Sequence, residues 1–166
     1  MDDPDDRPDA RQPRPEDVVR ICRALNEAGA RYVLIGGFAV IAHGFGRTTQ
    51  DIDLLVDDSP ENIARIKTAL RVLPDNAAAE VADEDLRTYV VVRVADEVVV
   101  DLMARACGVT CEEAARDAEL MEMDGVPIPV ASKRTLLRTK DTVRPRDAVD
   151  RQFLERLLAA EERCRP

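Results

Sequence analysis

The apolar residues of this chain change their spacing from segment to segment, and the spacing predicts the secondary structure. Between Pro15 and Gly29 they recur every three or four positions, which is typical of an amphipathic helix. Apolar and β-branched runs over residues 31–35 and 51–56 predict strands. Phe38–His43 lies between these runs and predicts a short helix. The chain therefore begins as helix, strand, helix, strand.

The later segments are marked by caps, prolines and turn residues. They predict a helix opened by Ser59 and Pro60, then a polar, alanine-rich loop over 74–86, then a hairpin of strands Thr88–Val94 and Glu97–Met103 joined at Ala95-Asp96. A capped helix from Thr110 to about Leu120 follows, then a turn at Asp124-Gly125 and an edge strand Val126–Val130 that contains two prolines. The chain continues with helices Ser132–Asp141 and Pro145–Arg163, and the inner face of the last helix carries Val149, Phe153, Leu154, Leu157 and Leu158. The predicted fold class is α/β (α+β), with a mixed sheet flanked by helices and a helical C-terminal part.

The composition divides the chain into a tail and one domain. Residues 1–14 contain Asp, Arg and Pro and almost nothing apolar, so burial cannot offset the entropy of ordering them, and we expect a disordered acidic tail. We expect an α/β core over residues 15–131. Residues 132–166 form C-terminal helices packed on that core within the same domain, because 166 residues suit one modest core.

The charge is acidic overall but unevenly distributed. A net charge of −9 argues against a non-specific nucleic-acid binder, since such proteins are basic. Residues 133–151, however, carry a local net charge of +4. This segment is either an ordinary solvated helix face or a contact surface for an anionic ligand such as a nucleotide or RNA.

Other classes are disfavoured by what the sequence contains. Its apolar runs fall short of the roughly 20 residues that span a membrane, and its acidic N-terminus does not resemble a signal peptide, so we expect a cytoplasmic protein that does not bind membranes. Four cysteines and one histidine, His43, make a poor ligand set for structural zinc, and we expect free thiols. For His43 a packing role is favoured over substrate contact.

The most informative stretch runs from Gly36 to Asp57. Gly36 and Gly37 end the first strand, and glycines leave room for an approaching phosphate. Asp51 and Asp53 fall on the same face of the second strand, where two like charges repel each other unless a cation neutralises them. Mg²⁺ typically takes one or two carboxylates together with substrate phosphates.

A third carboxylate stands in the second strand of the predicted hairpin. Asp101 lies within an apolar run, where an unpartnered carboxylate would be costly to bury. If this strand lies beside residues 51–56, all three carboxylates can converge on one or two divalent cations. The alternative is that Asp51 and Asp53 decorate a strand face exposed to solvent.

These motifs, with Gly44, Arg47 and Thr48 between them, resemble the signature of the DNA polymerase β-like nucleotidyltransferase superfamily. Within it, the chain resembles the bacterial branch that contains AbiEii-type toxins of type IV toxin–antitoxin systems and small antibiotic nucleotidyltransferases. The basic segments Leu136–Lys140 and Arg144–Asp150 also resemble that branch. The resemblance extends over residues 31–158.

The resemblance implies a nucleotidyltransferase-type sheet and the transfer of an NMP from an NTP to a hydroxyl of RNA, protein or a small molecule. Asp51 and Asp53 would bind Mg²⁺ or Mn²⁺, with Asp101 as third carboxylate and general base. The expected nucleotide-binding residues, for phosphate contact or support of the loop, are Gly36, Gly37, Arg47, Thr48 and Lys140. The expected partners are an NTP, its acceptor, and a cognate antitoxin or a second copy of the chain.

Phe38 is a departure from the family pattern, since active members commonly have Ser or Thr directly after the two glycines. This favours an alternative, a catalytically weak nucleotide- or partner-binding module of the same fold. A metal-dependent phosphohydrolase or nuclease is the third function class.

Overall fold

The computed structural model describes residues 10–165 and is built around a six-stranded mixed sheet. The elements, in chain order, are α1 (Pro15–Glu27), β1 (Tyr32–Ile35), α2 (Gly36–Ala42), β2 (Ile52–Val56), α3 (Pro60–Ala69), α4 (Asp85–Thr88), β3 (Val92–Ala95), β4 (Val99–Met103), β5 (Arg105–Ala106), β6 (Val109–Thr110), α5 (Cys111–Arg116), β7 (Glu119–Met123), β8 (Val126–Val130), α6 (Lys133–Thr139) and α7 (Pro145–Arg163). Two 3₁₀ turns, Leu70–Val72 and Ala77–Glu80, lie between α3 and α4.

The strand order of the sheet is β3-β4-β2-β1-β8-β7, while β5 and β6 form a separate small hairpin. β1 is antiparallel to β2 and parallel to β8, and β2 is parallel to β4. All four residues of β1 are buried, as a central strand covered on both faces requires. This agrees with the predicted mixed sheet flanked by helices.

The helix starts follow the local signals in the sequence. The side chains of Ser59, Thr110 and Ser132 each accept a hydrogen bond from a backbone N–H in the first turn of the helix that follows. α1, α3 and α7 begin with Pro15, Pro60 and Pro145, where proline loses no helical hydrogen bond. Among residues 10–165, none of the helices combines the length and the apolarity needed to cross a membrane.

Two predicted elements of the middle region are wrong in extent. The first hairpin strand begins at Val92 rather than Thr88, because Asp85–Thr88 is helical and Tyr89 and Val90 are exposed. The helix from Thr110 ends at Arg116 and does not reach Leu120, which belongs to β7. Asp124 and Gly125 both have positive φ, as in the tight turns that join paired strands, so a strand must precede this turn.

The edge position predicted for residues 126–130 is also wrong, since β8 lies between β1 and β7. The backbone nitrogens of every second residue in a strand point to the same neighbouring strand, so those of Pro127 and Pro129 point to the same side of β8 as that of Ala131. Ala131 N–H donates to Leu34 O at 3.0 Å and ties that side to β1. The prolines are tolerated because the short β1 pairs with β8 only around this end.

The inner face of α7 differs from the prediction at one position and includes two acids. Val149 is 52% exposed, whereas Leu154 is fully buried. Asp147 and Asp150 are buried on the same stripe as Leu154, at helical spacing. The hydrophobic pattern misplaced the stripe because these two carboxylates have buried cationic partners, described below.

The predicted disordered tail lies outside the described residues at positions 1–9. Residues 10–14 are described, and Arg11 donates to both oxygens of Asp17 at 2.7 Å and to Glu97 at 3.1 Å. These contacts join the segment before α1 to the turn between β3 and β4. Within residues 10–14, Arg11 therefore has two carboxylate partners, and disorder of the tail stays a prediction.

Candidate active site

The parallel pairing of β2 and β4 brings three carboxylates together. Asp53 lies opposite Asp101 in the register, and Asp51 directly precedes β2. One carboxylate oxygen from each of the three lies within 4.8 Å of the others. Asp101 is buried, and Asp51 and Asp53 are partly buried. The predicted convergence of the three aspartates, which we call the acidic triad, is thus confirmed as geometry.

Burial and the nearby like charges disfavour ionisation of the carboxylates of Asp51 and Asp53. Burial raises the pKa of Asp53 to about 7, and the charges of Asp51 and Asp101 add to the shift. Burial also raises the pKa of Asp51, with Asp101 as the next cause. Neighbouring cations oppose these shifts without cancelling them. A site that resists full ionisation in this way is suited to a positively charged ligand.

Gly36 and Gly37 allow the backbone to pack directly on the triad. Gly36 has φ of +70°, and a Cβ there would overlap the carboxylate of Asp53. A Cβ on Gly37 would lie 2.5 Å from Thr49 Oγ1 and 3.0 Å from Arg47 Nη2. The two glycines are therefore required by close packing at the start of α2, which begins two residues earlier than predicted.

Arg93 is a residue of the site that the sequence analysis missed. It lies opposite Asp101 across the β3–β4 hairpin, with Nε 3.0 Å from Oδ1 and Nη2 3.0 Å from Oδ2 of that carboxylate. Nη2 is also 3.3 Å from Asp51 Oδ2. The bond to Asp101 raises the pKa of the Arg93 guanidinium above its ordinary value.

The hairpin register is the signal that could have found Arg93. A two-residue turn at Ala95-Asp96 would place Arg93 opposite Val98 rather than Asp101. The observed register pairs Ala95 with Val99, which shifts Arg93 into line with the triad. Asp96 holds this longer turn, since its buried carboxylate accepts hydrogen bonds from three backbone N–H groups, those of Asp75, Ala77 and Glu97.

The predicted phosphate-binding cations Arg47 and Lys140 are brought to the site but already have acidic partners. Lys140 is 5% exposed, with Nζ 2.9 Å from Asp150 Oδ2 and 3.4 Å from Asp147 Oδ1. Arg47 Nη2 lies 2.9 Å from the same Asp150 oxygen. Arg144 Nε donates to Asp147 at 2.8 Å. We call Arg47, Lys140, Asp147 and Asp150 the buried ion network.

An open cleft of about 400 Å³ joins these features. Its lining includes Gly36, Gly37, Arg47, Asp51, Asp53, Arg93, Asp101, Lys140, Arg144 and Arg146. Thr48 does not line this cleft, whereas its buried neighbour Thr49 does. Thr48 is exposed, and its carbonyl accepts a hydrogen bond from Arg47 Nη1 at 2.8 Å, which fits support of the loop.

Phe38 and His43 both serve packing. Phe38 is 7% exposed and lines a separate cleft beside Pro13 and Pro15, not the cleft of the triad. The buried ring of His43 lies with Nε2 2.9 Å from Ala131 O and Nδ1 3.4 Å from Glu119. These contacts confirm the favoured packing role of His43.

A larger cleft lies at the opposite end of β1 and β2. It has a volume of about 770 Å³ and is lined by Tyr32, Asp57 and Leu120 among others. None of the acidic triad lines it. Size alone therefore does not identify the candidate site.

Comparison with known proteins identifies the family of the chain. A model of the family described as nucleotidyl transferase AbiEii toxin, type IV TA system, matches residues 20–163, a range that includes every residue lining the cleft. A search of curated proteins gave no match. The family match confirms the resemblance carried by the glycine pair and the acidic motif, and the mixed sheet agrees with it. The chain belongs to the AbiEii nucleotidyl transferase toxin family of type IV toxin–antitoxin systems.

Proposed function

We propose that this nucleotidyltransferase uses Mg²⁺ or Mn²⁺, held by Asp51, Asp53 and Asp101, to transfer an NMP from an NTP to a hydroxyl acceptor with release of pyrophosphate. The observation that carries the proposal is the acidic triad, whose three oxygens lie within 4.8 Å of one another beside Gly36. Carboxylate oxygens are the ligands that hard divalent cations prefer.

The triad fits such a cation on electrostatic grounds as well. Burial raises the pKa of Asp53 to about 7, and repulsion by the charges of Asp51 and Asp101 adds to the shift. A divalent cation there would offset this repulsion, polarise a phosphoryl oxygen and make an acceptor hydroxyl more acidic. Asp101 is the buried member, and we assign it the role of accepting the hydroxyl proton at a carboxylate oxygen.

The remaining residues of the cleft bind and orient the nucleotide in this proposal. Gly36 and Gly37 leave their backbone open to the phosphates at the start of α2. The exposed Arg144, the partly buried Arg47 and the buried Lys140 line the same cleft as the triad, where they can meet the phosphates. Positioning and charge stabilisation supply most of the rate enhancement in phosphoryl transfer. Thr48 supports the loop through its carbonyl.

The test is nucleotide transfer itself. The wild-type protein is incubated with Mg²⁺, a cell extract and each of the four α-³²P-labelled NTPs in turn, and RNA and protein fractions are examined for label. We expect label from one NTP, with matching pyrophosphate release. Asp51→Asn/Asp53→Asn should transfer none, whereas Asp58→Asn, which changes an exposed carboxylate just after β2, should transfer as wild type does.

A specific observation favours a second candidate, a nucleotide- or partner-binding module of weak activity. Phe38 replaces the hydroxyl that active members commonly have, and its side chain is turned into another cleft. Such a module would bind an NTP with Mg²⁺ yet release no pyrophosphate in the presence of extract. Label in free NDP or NMP without a labelled acceptor would instead indicate a phosphohydrolase.

We further propose a cytoplasmic toxin role with a cognate antitoxin, an assignment that rests on the family match. RNA, protein and a small molecule are the candidate acceptors, and the fraction that becomes labelled distinguishes them. Expression of the wild type should arrest growth, and expression of Asp51→Asn/Asp53→Asn at equal protein level should not.

A further inference from the structure

Arg93 occupies the oxygens that a cation would need. Its fork-shaped guanidinium uses both oxygens of Asp101, at 3.0 Å each, and reaches Asp51 at 3.3 Å. Two of the three carboxylates of the triad therefore already share one positive charge. An arginine stays protonated at any ordinary pH, so a change of pH does not remove this charge.

The position of Arg93 leaves the side chain free to move. β3 is an outer strand of the sheet, and the Arg93 side chain is 60% exposed. Its departure would leave no buried cavity, but Asp101 is only 7% exposed, so another cation must take the place of the guanidinium. By contrast, Lys140 is enclosed by Asp147 and Asp150 and cannot leave its site at comparable cost.

The cleft offers Arg93 a second partner once an anion enters. Arg93 lines the same cleft as Gly36, Gly37 and Arg144, where the proposed nucleotide would lie. The planar fork that matches a carboxylate also matches phosphate. A divalent cation and the guanidinium compete for the same oxygens, whereas the phosphates of a nucleotide attract both.

We propose that Arg93 is an exchanging counter-ion, an inference that rests on the proposed function. In the cation-free protein it pairs with Asp101 and Asp51; when a divalent cation takes these carboxylates, its guanidinium turns to the phosphates of the nucleotide. Arg93 thereby lowers affinity for the cation alone and raises affinity for cation and nucleotide together, which favours loading of the site as a complex.

The test measures Mn²⁺ binding by electron paramagnetic resonance in wild type, Arg93→Gln and Arg87→Gln. Arg87 is also an exposed arginine, paired with Asp58, so its variant has the same net charge without touching the triad. We expect Arg93→Gln to bind Mn²⁺ roughly tenfold more tightly than Arg87→Gln, because hydrogen bonds between charged groups no longer compete with the cation. The gain should vanish when Asp51→Asn is added.

The second part of the test measures nucleotide affinity by calorimetry, in the presence of Mn²⁺ and with the NTP that binds wild type. Arg93→Gln should bind the nucleotide about tenfold more weakly, as expected for a lost charged hydrogen bond. Arg93→Lys keeps the positive charge but lacks the fork-shaped guanidinium, so its nucleotide affinity should lie between those of wild type and Arg93→Gln. An intermediate value would show that the effect of Arg93→Gln is not a folding defect. Circular dichroism checks that each variant is folded.

The outcomes separate the inference from the proposed function. Equal or weaker Mn²⁺ binding by Arg93→Gln, relative to Arg87→Gln, overturns the exchange, because Arg93 would then merely hold Asp101 in place. Tighter Mn²⁺ binding with unchanged nucleotide affinity overturns the turn to phosphate. Absence of Mn²⁺ binding to every variant refutes the metal site itself, and binding to Arg93→Gln alone supports the competition.

Discussion

At the scale of single residues, the site depends on groups that tolerate close approach. Gly36 lies so close to Asp53 that only a hydrogen fits where a Cβ would lie, and its φ of +70° adds a second reason for glycine. Sequence reasoning found Gly36 but assigned it only to phosphate binding. The packing of its backbone on a carboxylate depends on the β1–β2 register, which a local pattern does not reveal.

Replacing Gly36 with alanine should cost more than the backbone angle alone. Gly29 has the same φ of +70° with open space around it, so Gly29→Ala isolates the backbone term, about 1 kcal/mol. Gly36→Ala should lower the free energy of unfolding further and abolish Mn²⁺ binding, because Asp53 must move. Urea unfolding and Mn²⁺ titration of both variants check this; equal effects of the two would refute the packing argument.

The raised pKa of Asp53 predicts a pH dependence of stability. The folded protein holds a proton on Asp53 up to about pH 7, whereas the unfolded chain loses it near its ordinary pKa of about 4. The folded state therefore binds more protons between these values, and this contribution to stability is full below about pH 4 and lost as pH rises through 7.

In the presence of a chelator, the Tm of wild type should fall relative to that of Asp53→Asn as pH rises from about 4 to 7. The variant has no carboxyl group to ionise at this position, so its Tm lacks the pH dependence that comes from Asp53. Thermal melts across this range measure the difference. Parallel curves for the two proteins would mean that Asp53 ionises as freely in the fold as in the unfolded chain.

At the scale of elements, the buried ion network joins α7 to the end of α6 and to the loop after α2. Asp150 accepts from both Lys140 and Arg47 and is fully buried. Caps and prolines predicted where α3, α6 and α7 begin, because these signals act within one helical turn. The network could not be predicted in the same way, since Arg47 and Asp150 are 103 positions apart.

Lys140→Met should destabilise the protein by about 3–5 kcal/mol, because it removes a buried cation from Asp147 and Asp150. Arg138→Met on the same helix breaks only the exposed pair with Glu113 and should cost less than about 1 kcal/mol. Urea unfolding of both variants gives the comparison. If Lys140→Met proves as stable as Arg138→Met, Lys140 is held for the ligand and not for the fold.

At the scale of the whole molecule, the sequence predicted the fold class and most of the site for a physical reason. The glycine pair and the acidic motif lie close together in the chain, and Asp101 was recognisable as an acid in an apolar strand. The β7–β8 hairpin and the internal position of β8 were missed, because edge and centre are decided by long-range pairing. Arg93 was missed because the predicted hairpin had a different register, which did not pair Arg93 with Asp101.

Cation binding should stabilise the whole fold, because the repulsion within the triad is present only in the folded state. At a Mn²⁺ concentration one hundred times Kd, the gain is about 2.7 kcal/mol, or an increase in Tm of roughly 5–10 °C. Differential scanning calorimetry should show this increase in wild type and not in Asp51→Asn/Asp53→Asn. An equal increase in the variant would place the cation elsewhere.

The most direct test of the account is a calorimetric titration of ATP, CTP, GTP and UTP, with and without Mg²⁺, into wild type and Asp51→Ala/Asp53→Ala. We predict that one NTP binds wild type only with Mg²⁺ and that the double variant, folded by circular dichroism, binds none. Failure of every NTP to bind folded wild type, or binding that survives in the variant, would contradict a nucleotide site built on the acidic triad.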